Sequence, residues 1–300
     1  MRHLQSFKYV KTITEAGSIR GAAENLAISP SALNRHIQTL EQDLGIQIFD
    51  RLTQGVRLSV EGELFFRYAQ RQLAGFEKLQ SQINDIKGLR TGRVRIGMSA
   101  DLGQKFIHSQ IAAYQTDHPQ VSFSLKIIEQ EGLDQAFEFN QIDLALFYQP
   151  NLSRNIQVIH AIETPIHAAL PVGAPVRDPQ ALRLHELIDH PVILPAQSTE
   201  LRRKLDGACE KNGFELRSVL ECPDPLPHLS ATMQSRIAFC LPFIEDWEDF
   251  QLRGYKLVPM SSRELLTGYV NIVASTHNLM SVAAQKFVEQ LVVCLEERNL

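Results

Sequence analysis

Hydrophobic positions fall into three regimes along the 300 residues. In the first, Leu4, Phe7, Val10 and Ile13 recur at a spacing that puts them on one face of a helix. Gly17 stops that helix, and Ser18 is placed to cap a second, short one through Leu26, with the small Ala22 and Ala23 inside it. Ser29-Pro30 is the clearest local signal, because serine is a preferred N-cap and proline is favoured at the first helical position. The third helix that starts there carries Leu33, Ile37, Leu40 and Leu44 as a single stripe, expected to pack inward, and Gly45 ends it. Two short apolar stretches, residues 46–49 and 56–58, separated by a turn that ends on Gly55, predict a β-hairpin.

The second regime runs from Ser59 for about eight helical turns and is closed by Gly88. Phe65, Ala69, Gln72, Phe76, Leu79, Ile83 and Ile86 alternate spacings of four and three, which is a heptad seam. A helix protruding from a small domain cannot bury such a seam alone. A partner helix from a second subunit is the simple answer, and packing on the body of the same chain is the alternative.

Beyond Thr91-Gly92 the pattern changes to strand–helix alternation. Strands are expected at 94–98, 121–128 and 144–147, with helices at 103–115 and 133–139 between them. A second set follows near Pro165: strands 166–170 and 192–194, helix 199–211, strand 217–222, helix 226–235 and strand 237–241. Strand 270–274 and helix 281–296 close the chain. Such alternation predicts parallel sheets with flanking helices, and two units in series predict two α/β lobes with a ligand cleft between them. The expected organisation is therefore a winged helix-turn-helix domain at 1–60, a linker and dimerisation helix at 61–90, and an effector-binding domain at 91–300. Its first lobe would span about 91–163 and 269–300, and its second about 164–268.

Net charge is −4, which argues against a nucleic-acid partner until its distribution is considered. Residues 1–95 hold 14 Lys and Arg against 9 Asp and Glu, leaving 16 against 25 for the remainder. A basic head on an acidic body suits one domain that meets phosphate and one that does not. Within the head, the face of the third helix opposite its apolar stripe shows Ser31, Asn34, Arg35 and Gln38, all short or donor-rich and none acidic. Asn pairs with adenine and Arg with guanine or phosphate in a major groove; the alternative is an ordinary solvated face. With the short helix just before it, this reads as a helix-turn-helix, with Ser29 and Pro30 at the start of the reading helix and Arg51 and Arg57 on the hairpin within reach of phosphates.

Other chemistries find little support. No apolar run reaches the roughly 18 residues of a membrane span, and the charged N-terminal stretch does not resemble a secretion leader, so a cytoplasmic protein is expected. Cys209, Cys222, Cys240 and Cys294 are far apart and the ten histidines scattered, so neither metal nor other cofactor is expected. Gly-Lys-Ser, Gly-Lys-Thr and Gly-x-Ser-x-Gly patterns are absent, which disfavours an enzyme. A transport solute-binding protein would have a leader and no basic head.

The head resembles the DNA-binding domain of the LysR-type transcriptional regulators. The matching residues are Phe7, Val10, Gly17-Ser18, Ala22-Ala23, Leu26, Ser29, Ala32, Arg35, Ile37, Leu40-Glu41, Leu44-Gly45, Phe49, Arg51, Leu58 and Gly62. Asn34 stands where the family often has serine, Gln54 where a wing residue is often basic, and Ser59 where threonine is usual as the next cap. The body is similar to the family's effector domain at Arg95-Ile96-Gly97, His118-Pro119-Gln120-Val121, Ile142-Asp143-Leu144-Ala145 and Leu241-Pro242, while Ser235-Arg236-Ile237-Ala238 replaces the usual glycines. The resemblance implies a periplasmic-binding-protein-like body, an antiparallel pair of linker helices in a homodimer, further assembly into a homotetramer, and double-stranded DNA and a small-molecule effector as partners. RNA polymerase is a further candidate partner.

The effector is expected where strands run into helices, once per lobe: Ser99, Ala100 and Asp101 in the first, Gln197, Ser198 and Thr199 in the second. Helix starts offer free N–H groups and partial positive charge, and the resemblance implies effector contacts at the same two points. Arg202, one turn on, would help hold an anion, whereas Asp101 would cap its own helix and repel a carboxylate. Glu129, Gln130, Tyr148 and Asp224, at strand ends, are further candidates.

Overall fold

The computed structural model describes residues 2–86, 91–223, 226, 229, 236–242, 254–278 and 280–297. The chain divides into two compact units, Met1–Gly88 with Glu138–Gln141, and Leu89–Phe137 with Ile142–Leu300.

The N-terminal unit opens with α1 (Arg2–Ala16), α2 (Ile19–Asn25) and α3 (Pro30–Leu44). Both predicted caps form: Ser18 Oγ accepts from the Gly21 amide at 3.1 Å and Ser29 Oγ from the Ala32 amide at 3.2 Å, each worth about 1 kcal/mol. Val10, Ile13, Ala22, Ala23, Leu33, Ile37, Ile48 and Phe49 make the core. Leu44 departs from the expected inward stripe and is exposed, because it is the last helical residue before the left-handed Gly45 cap. The turn between α2 and α3 places Ala27 at φ 53. That conformation is uncommon for a residue with a Cβ, and hydrogen bonds from Ala27 N to Glu24 O and from Ile28 N to Ala23 O hold it.

A hairpin follows, β1 (Phe49–Arg51) paired antiparallel with β2 (Val56–Leu58). The first strand lies three residues later than the apolar run predicted. Glu41 explains the shift: its Oε1 accepts from the amides of Ile48 at 2.7 Å and Phe49 at 3.1 Å. The apolar stretch is thereby tied to α3, and Ile48 is buried in the core. Ser59 then caps α4 (Val60–Ile86), accepting from Gly62 N at 2.9 Å and donating to Gln47 O. Gly62 is required here, since a Cβ on it would stand 1.9 Å from the Ile48 carbonyl oxygen.

The 27 residues of α4 span roughly 40 Å. The predicted seam splits in two. Phe65 stacks against Phe7 of α1 with centroids 5.8 Å apart, and Ala69 is fully buried beside it and Leu73, so this half is consumed by the unit's own packing. Gln72, Leu79 and Ile83 are exposed. Gly88, the expected stop, and the side chain of Ile86 lie outside the described residues.

The C-terminal unit contains two five-stranded sheets. The first uses β3 (Gly92–Met98), β4 (Val121–Ile127), β5 (Leu144–Tyr148), β6 (Ile156–Thr164) and β12 (Gly268–Ser275), in the order β4-β3-β5-β12-β6. The second uses β7 (His167–Pro171), β8 (Val192–Pro195), β9 (Ser218–Cys222), β10 (Ile237–Cys240) and β11 (Tyr255–Pro259), in the order β11-β7-β10-β8-β9. Among the described residues the α-helices are α5 (Gln104–Asp117), α6 (Leu133–Glu138), α7 (Glu200–Asn212) and α8 (Val282–Glu297), with short 3-10 turns at Gln130–Gly132 and Leu184–Leu187. The expected helix over 226–235 lies, except for Leu226 and Leu229, outside them.

The sheets are mixed, which corrects the expectation of parallel ones. β3 pairs parallel with β4 and β5, but β12 runs antiparallel to β5 and β6; β8 pairs parallel with β9 and β10, but β7 runs antiparallel to β10 and β11. One strand in each sheet, β12 in the first and β7 in the second, runs against the rest, and each follows a passage of the chain between sheets, from β11 into β12 and from β6 into β7. Two strands, β6 and β11, have no counterpart among the predicted ones; polar residues such as Gln157, His160 and Glu163 interrupt the apolar signal of β6. The larger core joins both sheets through residues such as Ile96, Leu146, Ile237 and Phe239.

Candidate nucleic-acid interface and ligand cleft

On α3 the cap and the buried Leu33 and Ile37 fix which face points outward. Ser31, Arg35 and Gln38 are exposed there and Asn34 is half-buried. Ser29 and Pro30 are also exposed, yet the Ser29 hydroxyl serves the cap, with Ser31 Oγ 3.3 Å away. On the hairpin, Arg51 is exposed, whereas Arg57 Nε donates to Asp50 Oδ2 across the strands at 3.3 Å. Arg57 would therefore have to exchange a partner to reach a phosphate.

In the body, the loops after β3 and β8 face each other around a cavity of about 140 Å³. That is small beside the roughly 300–1,000 Å³ of drug-sized ligand sites. Ser99, Ala100, Asp101, Gln130, Tyr148, Ser198 and Thr199 all line it. Gln197 is exposed and does not line it, and Asp224 lies outside the described residues. The Gln130 amide is spent on a clamp, donating to Asn151 O at 2.8 Å and accepting from Asn151 N at 3.2 Å.

Two expectations about charge are corrected. Arg202 does not line the cavity: its guanidinium donates to Asp206 at 2.8 and 2.9 Å, to Glu221 at 3.2 Å and to Pro195 O at 3.2 Å. Asp101 does not cap its own helix, since Gly103 holds the N-cap position of α5 with no side-chain bond. Its carboxylate instead crosses to the second lobe, where Oδ2 accepts from the Glu200 amide at the start of α7 at 3.2 Å. Thr199, the N-cap, accepts from Arg202 N at 3.2 Å, and its single hydroxyl proton has two acceptors in reach, Ala196 O at 2.7 Å and the Asp101 carboxylate.

Burial decides the electrostatics. It raises the Asp101 carboxyl to about 6, against the relief given by the Thr199 hydroxyl and the Glu200 and Leu201 amides. It also pushes the Tyr148 phenol far above its ordinary value, reinforced by the negative charges of Asp101 and Glu200. Asp101 Oδ1, Ser99 Oγ and the Tyr148 hydroxyl are buried with no hydrogen-bond partner meeting normal geometry; the phenol stands against Gly268, where a Cβ would come within 2.4 Å of its oxygen. Lys204 Nζ of α7 lies 5.8 Å from the Tyr148 ring centroid and donates to Leu266 O at 3.1 Å.

Residues 4–63 match the model of the bacterial regulatory helix-turn-helix proteins of the lysR family, and residues 87–293 match the LysR substrate binding domain. This chain belongs to the LysR family. It is a DNA-binding transcriptional regulator with an effector-binding domain, and not an enzyme. It is 28% identical over 218 residues to a probable RuBisCO transcriptional regulator of Emiliania huxleyi, covering 71% of this chain and 69% of that one. An HTH-type regulator of Bacillus subtilis, YybE, is 25% identical over 217 residues, 72% and 74% of the two chains. In fold it is similar to full-length OxyR from Pseudomonas aeruginosa, with a TM-score of 0.66, 18% identity and 97% of each chain covered. The CbnR chain solved with its target DNA gives 0.65, 16% identity and 99% coverage of each.

Sequence reasoning missed several residues of the LysR-type cleft. Ile127, Ile128, Phe147, Ala196, Glu200, Arg203 and Pro223 also line it. Arg203 is paired with Glu200 at 3.0 Å. A signal existed for those two, an i,i+3 pair directly after the Thr199 cap. Glu41, which organises the hairpin, was legible only as a family match. Among the described residues no group of three or more His, Cys, Asp or Glu is placed to hold a metal, and no helix is long and apolar enough to cross a membrane.

Proposed function

We propose that residues 1–60 place α3 in the major groove of double-stranded DNA, with Ser31, Asn34, Arg35 and Gln38 toward base edges or nearby phosphates and Arg51 and Arg57 on flanking phosphates. Ser29 and Pro30 set the start of the reading helix. The observation that carries this reading is the outward, acid-free polar face on a helix fixed by its cap and two buried residues. Residues 61–90 pair two chains, supported by Leu79 and Ile83, which α4 leaves 50% and 42% exposed. Two heads require two half-sites separated by whole turns of DNA, and two such dimers would make a tetramer.

Residues 91–300 sense a small molecule held between the loops after β3 and β8. Ser99, Ala100, Asp101, Tyr148 and Ser198 are its contacts, with Thr199 shaping the helix start, Gln130 and Gln197 at the margin, and Asp224 in the same group. The protein works in the cytoplasm, where its DNA is. A mobility-shift titration on a two-half-site fragment tests the head. Arg35→Ala is expected to weaken specific binding by about 1–3 kcal/mol, roughly 5- to 150-fold, if its contact is bidentate. The melting temperature should not change. Unchanged affinity would remove Arg35 from the interface.

A further inference from the structure

We infer that the cleft takes a small ammonium-bearing molecule, held by Asp101 with Ser99 and Tyr148, and not a simple carboxylate. This rests on the reading of the cleft as the effector site and names the class of ligand that site accepts.

The helix start that would draw an anion is already filled. Asp101 Oδ2 accepts from the Glu200 amide, and the Thr199 hydroxyl takes the amide of Arg202. An incoming carboxylate would have to displace a carboxylate tethered to the same chain, which acts at high effective concentration. It would also leave the Asp101 charge buried without a partner, an arrangement that is strongly unfavourable. The cationic side chains nearby do not change this. Arg203 is paired with Glu200, Arg202 faces its three acceptors away from the cavity, and Lys204 donates to Leu266 O.

What the cavity offers is the opposite chemistry. Asp101 Oδ1, Ser99 Oγ and the Tyr148 oxygen are buried with no hydrogen-bond partner of normal geometry, on residues that are 9%, 7% and 1% exposed; the Leu201 amide and Thr199 hydroxyl beside Asp101 and the Gly268 amide beside Tyr148 relieve them only in part. Unmet polar atoms at such burial are rare and costly. All three lie on one lobe, around one cavity. A primary ammonium has three donors and one positive charge, and so matches in number and in charge three acceptors of which one is a carboxylate. Ile127, Ile128 and Phe147 line the rest and suit a short apolar stem. At about 140 Å³ the closed cavity fits a molecule of a few heavy atoms.

The test titrates n-propylammonium, propionamide and propionate, at matched ionic strength, into the full chain and reads dissociation constants by ligand-observed NMR. Propylammonium is expected to bind at least about tenfold more tightly than propionate, which corresponds to about 1.4 kcal/mol. Asp101→Asn, nearly isosteric, should remove that preference. Tyr148→Phe, which deletes only the hydroxyl, should weaken propylammonium a few-fold and leave propionate unchanged; it serves if Asp101→Asn does not fold. Propionate binding more tightly than propylammonium, or an ammonium preference that survives Asp101→Asn, would overturn the inference while leaving the cleft as the effector site. Binding of none of the three would overturn the cleft reading and this inference with it.

Discussion

The reading helix and the ligand cleft handle their polar groups in opposite ways. On α3 the side chains proposed to meet DNA stand in water, and the groups that position them are fully bonded: Ser29 to Ala32, Glu41 to two amides. In the cleft, three polar atoms are buried with no hydrogen-bond partner of normal geometry and an aspartate crosses between lobes. A surface that recognises a fixed polyanion gains from being rigid beforehand. A site whose occupancy must change a conformation gains from an unliganded state that is incompletely satisfied, because a ligand then has a differential free energy to supply.

The comparison breaks first if the head is not rigid. Gly62→Ala would place a Cβ 1.9 Å from the Ile48 carbonyl oxygen and 2.8 Å from its carbon, backbone atoms with no flexible end to yield. The expected loss is at least about 3 kcal/mol, the upper end of overpacking effects. Differential scanning calorimetry should show the transition of the N-terminal unit falling sharply while that of the effector domain stays. A variant that melted like the parent would mean that the contact between α4 and the stretch before β1 is loose.

The next effect is smaller and sits in the cleft. A carboxyl raised from 3.8 to about 6 by burial binds its proton more tightly in the folded chain than in the unfolded one. Folding stability therefore falls as pH rises between those values, by about 3 kcal/mol in all at 1.4 kcal/mol per pKa unit. Glu200 and the Tyr148 phenol face the same carboxylate; Glu200 adds to the rise, and the phenol remains protonated throughout this window. Asp101→Asn has no such proton. Chemical denaturation of the two proteins from pH 4 to pH 7 should show the variant gaining on the parent by up to about 3 kcal/mol. Parallel profiles would show that Asp101 is better solvated than its burial indicates.

How much was legible in the sequence follows the same division. The head was readable because its signals are local: a serine, a proline and a glycine each act within a few residues, and Leu33 and Ile37 need only helical spacing. The wing strand was misplaced because its position depends on Glu41, seven and eight residues earlier, bonding two amides. In the body the alternation gave the two lobes, but strand direction is set where the chain returns between sheets, which no local period records. The cleft residues after β3 and β8 were found as helix starts. Asp101 was read as a cap and is one, though for α7, 99 residues away in sequence. That Arg202 is spent on Asp206, Glu221 and Pro195 was likewise beyond a reading that sees only one turn of helix.

The smallest effect sharpens the account of the wing. Arg57 and Asp50 face each other across β1 and β2 at 3.3 Å, with side chains 68% and 39% exposed. Exposed pairs of this kind contribute about 0.2–1 kcal/mol, so Asp50→Asn should lower head stability by a few tenths of a kcal/mol at most. Its effect on DNA should have the opposite sign. The substitution removes a negative charge beside the phosphates and frees Arg57 to meet one. Each phosphate newly neutralised steepens the dependence of log affinity on log salt by about 0.9. Affinity at low salt should rise a few-fold, the slope should steepen by close to that amount per wing, and both changes should shrink when Arg57→Ala is added. A slope that stayed at the parent value in Asp50→Asn would mean that Arg57 remains off the DNA, leaving Arg51 as the wing's phosphate contact.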